Sequence, residues 1–457
     1  MSECLRYNAG LMKIEALLDT SAILAGQPTP VHLLIRFTAP TLAGNARERP
    51  IAFSAVIDRS GSMAGPPLHA ACEAAKLAVK NLRTGDQFSL VVFDDQARTI
   101  VPLQPATDKE AILARIDQVN DGGSTNLTAG WMLGRDELLK ADPNTPRRLL
   151  LLTDGQLNVG ITEPTMVRTI VASGLEKGSI RTSTLGFGEG YEERLLADLA
   201  GATGGGFYDA NSPEKLPAIF AAELEGLQSI AIQNLRLRIR KLDFCDTLAL
   251  FADYPVIDLP DGRKEIAVGD LVSDERRTLI LGLQTLAIPP LPDGQPAASL
   301  EGEDLLGLEV AFDEITPEGI ASKTWSQTLR VVTTQEPGSI RTNDEVVAPA
   351  ALQRAARAVD EALKLSQGGQ TAAAIALLRD ELQALERLGA GPLTKKARDM
   401  VTKLLEQFQE PEGPSVQCCK DSLYSSRSYR RMSSAQHWSS DEPPPDYIAS
   451  TDTECSQ

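Results

Sequence analysis

Between about residues 50 and 226, short and nearly continuous apolar runs alternate with stretches of helical periodicity. No other feature constrains the fold as much. The runs fall at 51–57, 88–93, 148–153 and 180–187, with shorter ones at 99–103 and 206–209. A strand that is apolar at nearly every position must be covered on both faces. Helical patterns at about 73–82, 109–119, 127–140, 164–176, 192–202 and 213–226 supply the covering layers. The expected class is α/β: a doubly wound, mostly parallel, Rossmann-like sheet.

The flanks follow another rule. Residues 11–18 and 31–38 show strand-like alternation, divided by the turn signal Gly26-Gln27-Pro28. From Ile230 onward the alternation is clean, with Ile230, Ile232, Leu235, Leu237 and Ile239 set against Gln233, Arg236, Arg238 and Arg240. Pro260-Asp261-Gly262, Pro292-Asp293-Gly294 and Pro337-Gly338 punctuate the strands that follow. Two N-terminal strands cannot bury a face alone. Residues 1–49 are therefore expected to join a β-sandwich at 227–340, with the α/β domain (50–226) inserted in or flanked by it. A small helical segment follows at 341–410, either a tetratricopeptide-like hairpin or a helix pair docked on the sandwich. Residues 411–457 are Ser-, Pro- and acid-rich, which predicts a disordered tail.

Composition excludes several functions. Sixty-two Asp+Glu against 45 Lys+Arg give a net charge of −17 over 457 residues, which argues against phosphate-backbone binding and hence against nucleic acid. The densest apolar run, residues 149–152, is far too short to span a membrane. The N-terminal residues lack the basic and apolar regions of a signal peptide. Six cysteines lie scattered without a CxxC pair, and a reducing cytoplasm is the simplest compartment. His32, His69 and His437 carry no metal-binding spacing.

Three loops at strand ends or helix starts carry short oxygen-bearing side chains. They are Asp58-Arg59-Ser60-Gly61-Ser62, Gly122-Gly123-Ser124-Thr125-Asn126 and Thr153-Asp154-Gly155. Ligands of open parallel sheets bind beyond the carboxyl ends of the strands, where the strand order reverses, so these loops can converge. Asp58, Ser60, Ser62, Thr125 and Asp154 would offer two carboxylates and three hydroxyls to a hard cation. Mg²⁺ is expected, with Mn²⁺ or Ca²⁺ as alternatives. Asp154 would act through coordinated water, and at least one position would stay open to solvent.

With these residues in place, the sequence resembles the von Willebrand factor type A family with a complete metal-ion-dependent adhesion site. The family pattern is DxSxS, then a Thr in a later loop, then an Asp after the next core strand. Asp58/Ser60/Ser62, Thr125 and Asp154 match it in order and context. The flanks are similar to those of bacterial-type and inter-α-trypsin-inhibitor-like members. The resemblance implies divalent-cation-dependent binding of a protein partner through that partner's Asp or Glu, in an adaptor or scaffold, and no catalysis.

Other readings of the same residues are weaker. Asp58 and Asp154 could be turn or cap residues, and Asp94-Asp95 reads as a solvated turn or as a rim of the site. Asn126-Leu127-Thr128 is a glycosylation sequon discounted in a cytosolic chain. Ser60, His69 and Asp58 include the residue types of a hydrolase, but no GxSxG elbow accompanies them. A metal-dependent hydrolase or phosphotransferase, or a metal-indifferent scaffold, are the alternatives. In the tail, Pro444, Pro445 and Tyr447 fit the PPxY form read by WW-type domains, and a plain solvated tail is the bland alternative.

Overall fold

The structure is a computed structural model. It describes residues 5–431 apart from 10–11, 43–48, 155–156, 189, 211, 291–301, 317–318, 390 and 411–412. The WW-type motif at Pro444, Pro445 and Tyr447 lies outside the described residues.

The chain opens with strands β1 (Leu5–Ala9), β2 (Met12–Leu18), β3 (Ile23–Leu24) and β4 (Pro30–Thr38). It then enters the α/β layer, in which β5 (Ala52–Asp58) is buried at every position. Helix α1 (Pro66–Asn81) begins earlier than its apolar periodicity suggests, because Pro66 and Pro67 occupy its first positions, where a missing N–H costs nothing. Strands β6 (Gln87–Phe93) and β7 (Ala97–Pro105) form a hairpin, followed by α2 (Lys109–Ile116) and α3 (Leu127–Leu138). The layer is completed by β8 (Arg147–Thr153), α4 (Pro164–Gly178), β9 (Ile180–Phe187), α5 (Glu193–Thr203), β10 (Phe207–Ala210) and α6 (Leu216–Gln228).

The sheet order is β10-β9-β8-β5-β6-β7, parallel throughout except for β7. This is the expected doubly wound, mostly parallel sheet. Helix α3 approaches it closely because Gly134 and Gly130 lack side chains; a Cβ there would lie 2.5 Å from Val56 and 2.5 Å from Phe93. The fully buried Trp131 fills the adjoining space and donates its indole N–H to Thr182 at 2.9 Å, so its one polar atom is satisfied.

Strands β11 (Ile230–Lys241), β12 (Cys245–Leu250), β13 (Val256–Asp258), β14 (Lys264–Val272), β15 (Arg276–Thr285), β16 (Glu303–Thr316), β17 (Gly319–Val331) and β18 (Thr333–Thr334) follow. With β1, β2 and β4, strands β11–β17 make two five-stranded sheets, β1-β2-β4-β15-β12 and β13-β14-β11-β16-β17, while β18 pairs with β3. The early strands β2 and β4 thus share a sheet with β15, more than two hundred residues later. Leu33, Ile35 and Phe37 from one sheet join Leu235, Leu237 and Val310 from the other in a common core.

A bidentate ion pair fixes the α/β layer to the sandwich. Arg181 on β9 donates to both carboxylate oxygens of Asp270 on β14, at 2.6 and 3.1 Å. At the root of the layer, buried Asp86 accepts from the N–H of Ile51 at 3.2 Å and from the side chain of Gln228 at 3.0 Å.

Helices α7 (Asp344–Gln367), α8 (Thr371–Glu386) and α9 (Pro392–Gln409) pack together around Val359, Leu378 and Leu404. Fully buried Gln353 of α7 seats this group on the sandwich, accepting from Ile280 N–H and donating to Thr278 C=O, both at 3.2 Å. Residues 411–457, expected to be disordered, include a further helix, α10 (Val416–Arg431), which packs on α7. Its composition is polar, and Arg427 and Arg430 anchor it alongside Leu423. Among the described residues no helix is long and apolar enough to cross a membrane.

Candidate metal centre

Strand β5 lies between β8 and β6, where the chain's direction of winding reverses. Asp58 is the last residue of β5, and Asp154 follows the last residue of β8. Asp58 is fully buried. Its Oδ1 accepts the N–H of Ser60 at 2.8 Å, and its Oδ2 accepts the hydroxyl of Thr153 at 2.5 Å. Burial pushes its carboxyl up to about 6, and those two bonds only partly oppose the shift.

A chain of hydroxyls continues outward. Ser60 Oγ lies 3.2 Å from Ser62 Oγ, and Ser62 donates to Asp154 Oδ1 at 2.9 Å. Burial also raises the Asp154 carboxyl, with the Ser62 bond opposing it. Ser60 is buried while Ser62 is exposed, so the cluster runs from the sheet edge to solvent. Four of the five expected residues are thereby linked by hydrogen bonds among themselves.

Thr125 comes from the loop ahead of α3, which lies against the first loop. Gly61 N–H donates to Gly123 C=O at 2.9 Å and Gly122 N–H to Arg59 C=O at 2.7 Å. Thr125 is buried, and its carbonyl accepts from the N–H groups of Asn158 and Val159. Asn126 caps α3 by accepting from Ala129 N–H at 3.2 Å.

Three features were missed or only partly read from sequence. Thr153 is a buried hydroxyl at the end of a leucine run, and its place immediately before Asp154 was the available signal. Asp94, read mainly as part of a solvated turn, is buried and paired with Arg59. Burial works against its charge, but Gln96 N–H, Arg59 and Arg98 hold its carboxyl below the usual range. The Gly122-Gly123 pair exists because a Cβ at either would lie 2.2 Å from Asp94 or 2.5 Å from Asp95. His69, by contrast, is an exposed residue of α1, and among the described residues no hydrogen bond joins it to Ser60 or Asp58.

Oxygen is the only ligand type in the cluster, and two carboxylates there are held above their usual range. That donor set fits a hard divalent cation, which would compensate a buried charge the protein leaves partly unpaired. Among the described residues, no group of three His, Cys, Asp or Glu side chains is otherwise poised for a metal.

A buried carboxylate and a ladder of hydroxyls thus stand at the switch point of a doubly wound α/β domain. Residues 54–222 match the family model of the von Willebrand factor type A domain, and this part of the chain is such a domain. The relatives include an uncharacterized protein of Synechocystis, 26% identical over 59% of this chain and 66% of its own length. Inter-alpha-trypsin inhibitor heavy chain H1 of Bos taurus is 32% identical over 31% of this chain and 16% of its own. The Arabidopsis thaliana E3 ubiquitin-protein ligase WAV3 is 24% identical over 79% of this chain and 46% of its own. The chain thus spans less than two thirds of each of these relatives. A solved structure, a von Willebrand factor type A protein from Catenulispora acidiphila, matches 93% of this chain and 99% of its own at 18% identity and a TM-score of 0.67, a likeness of fold. Domains of this family generally mediate metal-dependent protein–protein interaction through the adhesion site.

Proposed function

We propose that the chain is an adaptor that holds a divalent cation, Mg²⁺ with Mn²⁺ or Ca²⁺ as substitutes, and captures an Asp or Glu side chain of a partner protein. Asp58, Ser60, Ser62, Thr125 and Asp154 are the residues that would hold the ion. One observation carries the reading: Ser62 and Asp154, 92 positions apart in sequence, are hydrogen-bonded beside a buried carboxylate. When bound, the cation supplies an open coordination position that favours carboxylate oxygen.

The protein's own part is positional. Thr153 and the N–H of Ser60 orient Asp58, and the Arg59–Asp94 pair together with the two glycines presses the second loop against the first. A reducing cytoplasm suits the reading, since Cys72, Cys245, Cys418 and Cys419 are free thiols.

Calorimetric titration with MnCl₂ tests it. The native protein is expected to show a saturable site, and Asp58→Ala to lose it while keeping its circular dichroism. Pull-down from source lysate is then expected to retain a partner in Mg²⁺ and release it in EDTA. Equal Mn²⁺ binding by Asp58→Ala would overturn the assignment. Metal-dependent ester or phosphoester hydrolysis that vanishes in Asp154→Ala would favour an enzyme.

A further inference from the structure

Helix α10 is held in an unusual way. Among its described side chains the buried ones are Cys418, Ser422, Leu423, Ser426 and Arg427, with Cys419 and Tyr429 half-buried against the helical core. Its neighbour α9 buries Leu393, Val401, Leu404, Leu405 and Phe408. At about 25 cal/mol per Å² of apolar surface, a face that sets Leu423 and Tyr429 among serines and an arginine holds a helix less firmly than that of α9.

Charge takes over that task. Arg427 donates to Asp198 of α5 at 2.5 Å and lies 3.9 Å from Asp253, in the sandwich. Arg430 donates to the carbonyl of Phe251 at 2.9 Å and stands 3.7 Å from Asp253 and 3.4 Å from Asp360 of α7. Two arginines one turn apart thus engage the α/β domain, the sandwich and the helical layer together. Lys364 also pairs with Asp360 at 2.9 Å. The network is incompletely satisfied, since Arg427 Nε and Asp360 Oδ1 are buried without a hydrogen-bond partner. Such networks stabilise less than their charge count suggests, and they fail when one member is lost.

The arm to Asp198 holds a helix whose leading loop touches the candidate metal site. Helix α5 follows a loop in which a Cβ at Gly190 would lie 3.6 Å from the carbonyl oxygen of Asp154. We propose that α10 is a releasable electrostatic clasp: Arg427 and Arg430 lock the α5 side of the α/β domain onto the sandwich and helices. When the clasp opens, that side keeps the Arg181–Asp270 pair and the packing of Ala197 in the helical core.

Hydrogen–deuterium exchange on the full chain tests this. Measured in EDTA, the outcome does not depend on the metal assignment. In Arg427→Gln/Arg430→Gln, exchange across Glu193–Thr203 is expected to speed up by about tenfold or more, while β5 and β8 keep their protection. Faster exchange confined to α10, with α5 unchanged, would overturn the clasp. Asp198→Asn cuts only the arm to the α/β domain and guards against misfolding of the double variant. It is expected to loosen α5 with α10 still protected, and native-like α5 exchange in that variant would also overturn the proposal.

Discussion

Thr153 Oγ1 donates to Asp58 Oδ2 at 2.5 Å, joining the ends of two neighbouring parallel strands through a bond that is wholly buried. The hydroxyl fixes the orientation of a carboxylate whose burial is otherwise opposed on this side chain only by Ser60. Thr153→Val keeps the shape and removes the donor. Mn²⁺ affinity is expected to fall by about tenfold, in the range usual for groups that orient metal ligands, and calorimetry would read it.

If the cluster holds a cation in the folded state only, that cation must stabilise the fold. At a hundredfold excess over its dissociation constant, Mg²⁺ is expected to add about 2.7 kcal/mol, seen as a rise in Tm that EDTA reverses. Asp154→Asn should abolish the rise. A rise of equal size in that variant would place the stabilising ion elsewhere.

The second loop depends on the absence of side chains. Gly122→Ala drives a Cβ to within 2.2 Å of Asp94 Oδ2, an atom already engaged by Arg59. The ion pair must shift or break, at a cost of about 1–3 kcal/mol. Urea denaturation would measure that loss, and Mn²⁺ binding is expected to weaken along with it.

At the seam between domains, burial works against the charge of Asp270, yet Arg181 and the N–H of Asn234 hold its carboxyl below the usual range. A lowered folded-state pKa means stability that is present above the unfolded value, near 4, and is lost as pH falls through the folded value. Asp270→Asn leaves Arg181 buried without its counter-charge and is expected to cost about 3 kcal/mol at pH 7. The gap between native and variant in urea unfolding should narrow below pH 4. A gap that persists there would show that the pair is not the source.

The sheet was legible because its strands are buried on both faces, so residues 51–57 and 148–153 read as continuous apolar runs. The order of the site loops followed from the same topology. Helix α10 was not legible, because among its described side chains two serines, a cysteine and an arginine make up most of the buried face. Thr153 and the Arg59–Asp94 pair escaped for a related reason: each gains its meaning from a partner at least 35 positions away. Sequence pattern reports which side chains avoid water far better than it reports which polar groups find each other.

Asp86 gathers the first strand and the last helix of the α/β domain onto one carboxylate, through Ile51 and Gln228. A unit threaded into its host through so narrow a neck behaves as a cassette. The loops at its open end can diverge, or the whole piece be exchanged for a cousin, without rethreading the sheets that carry it.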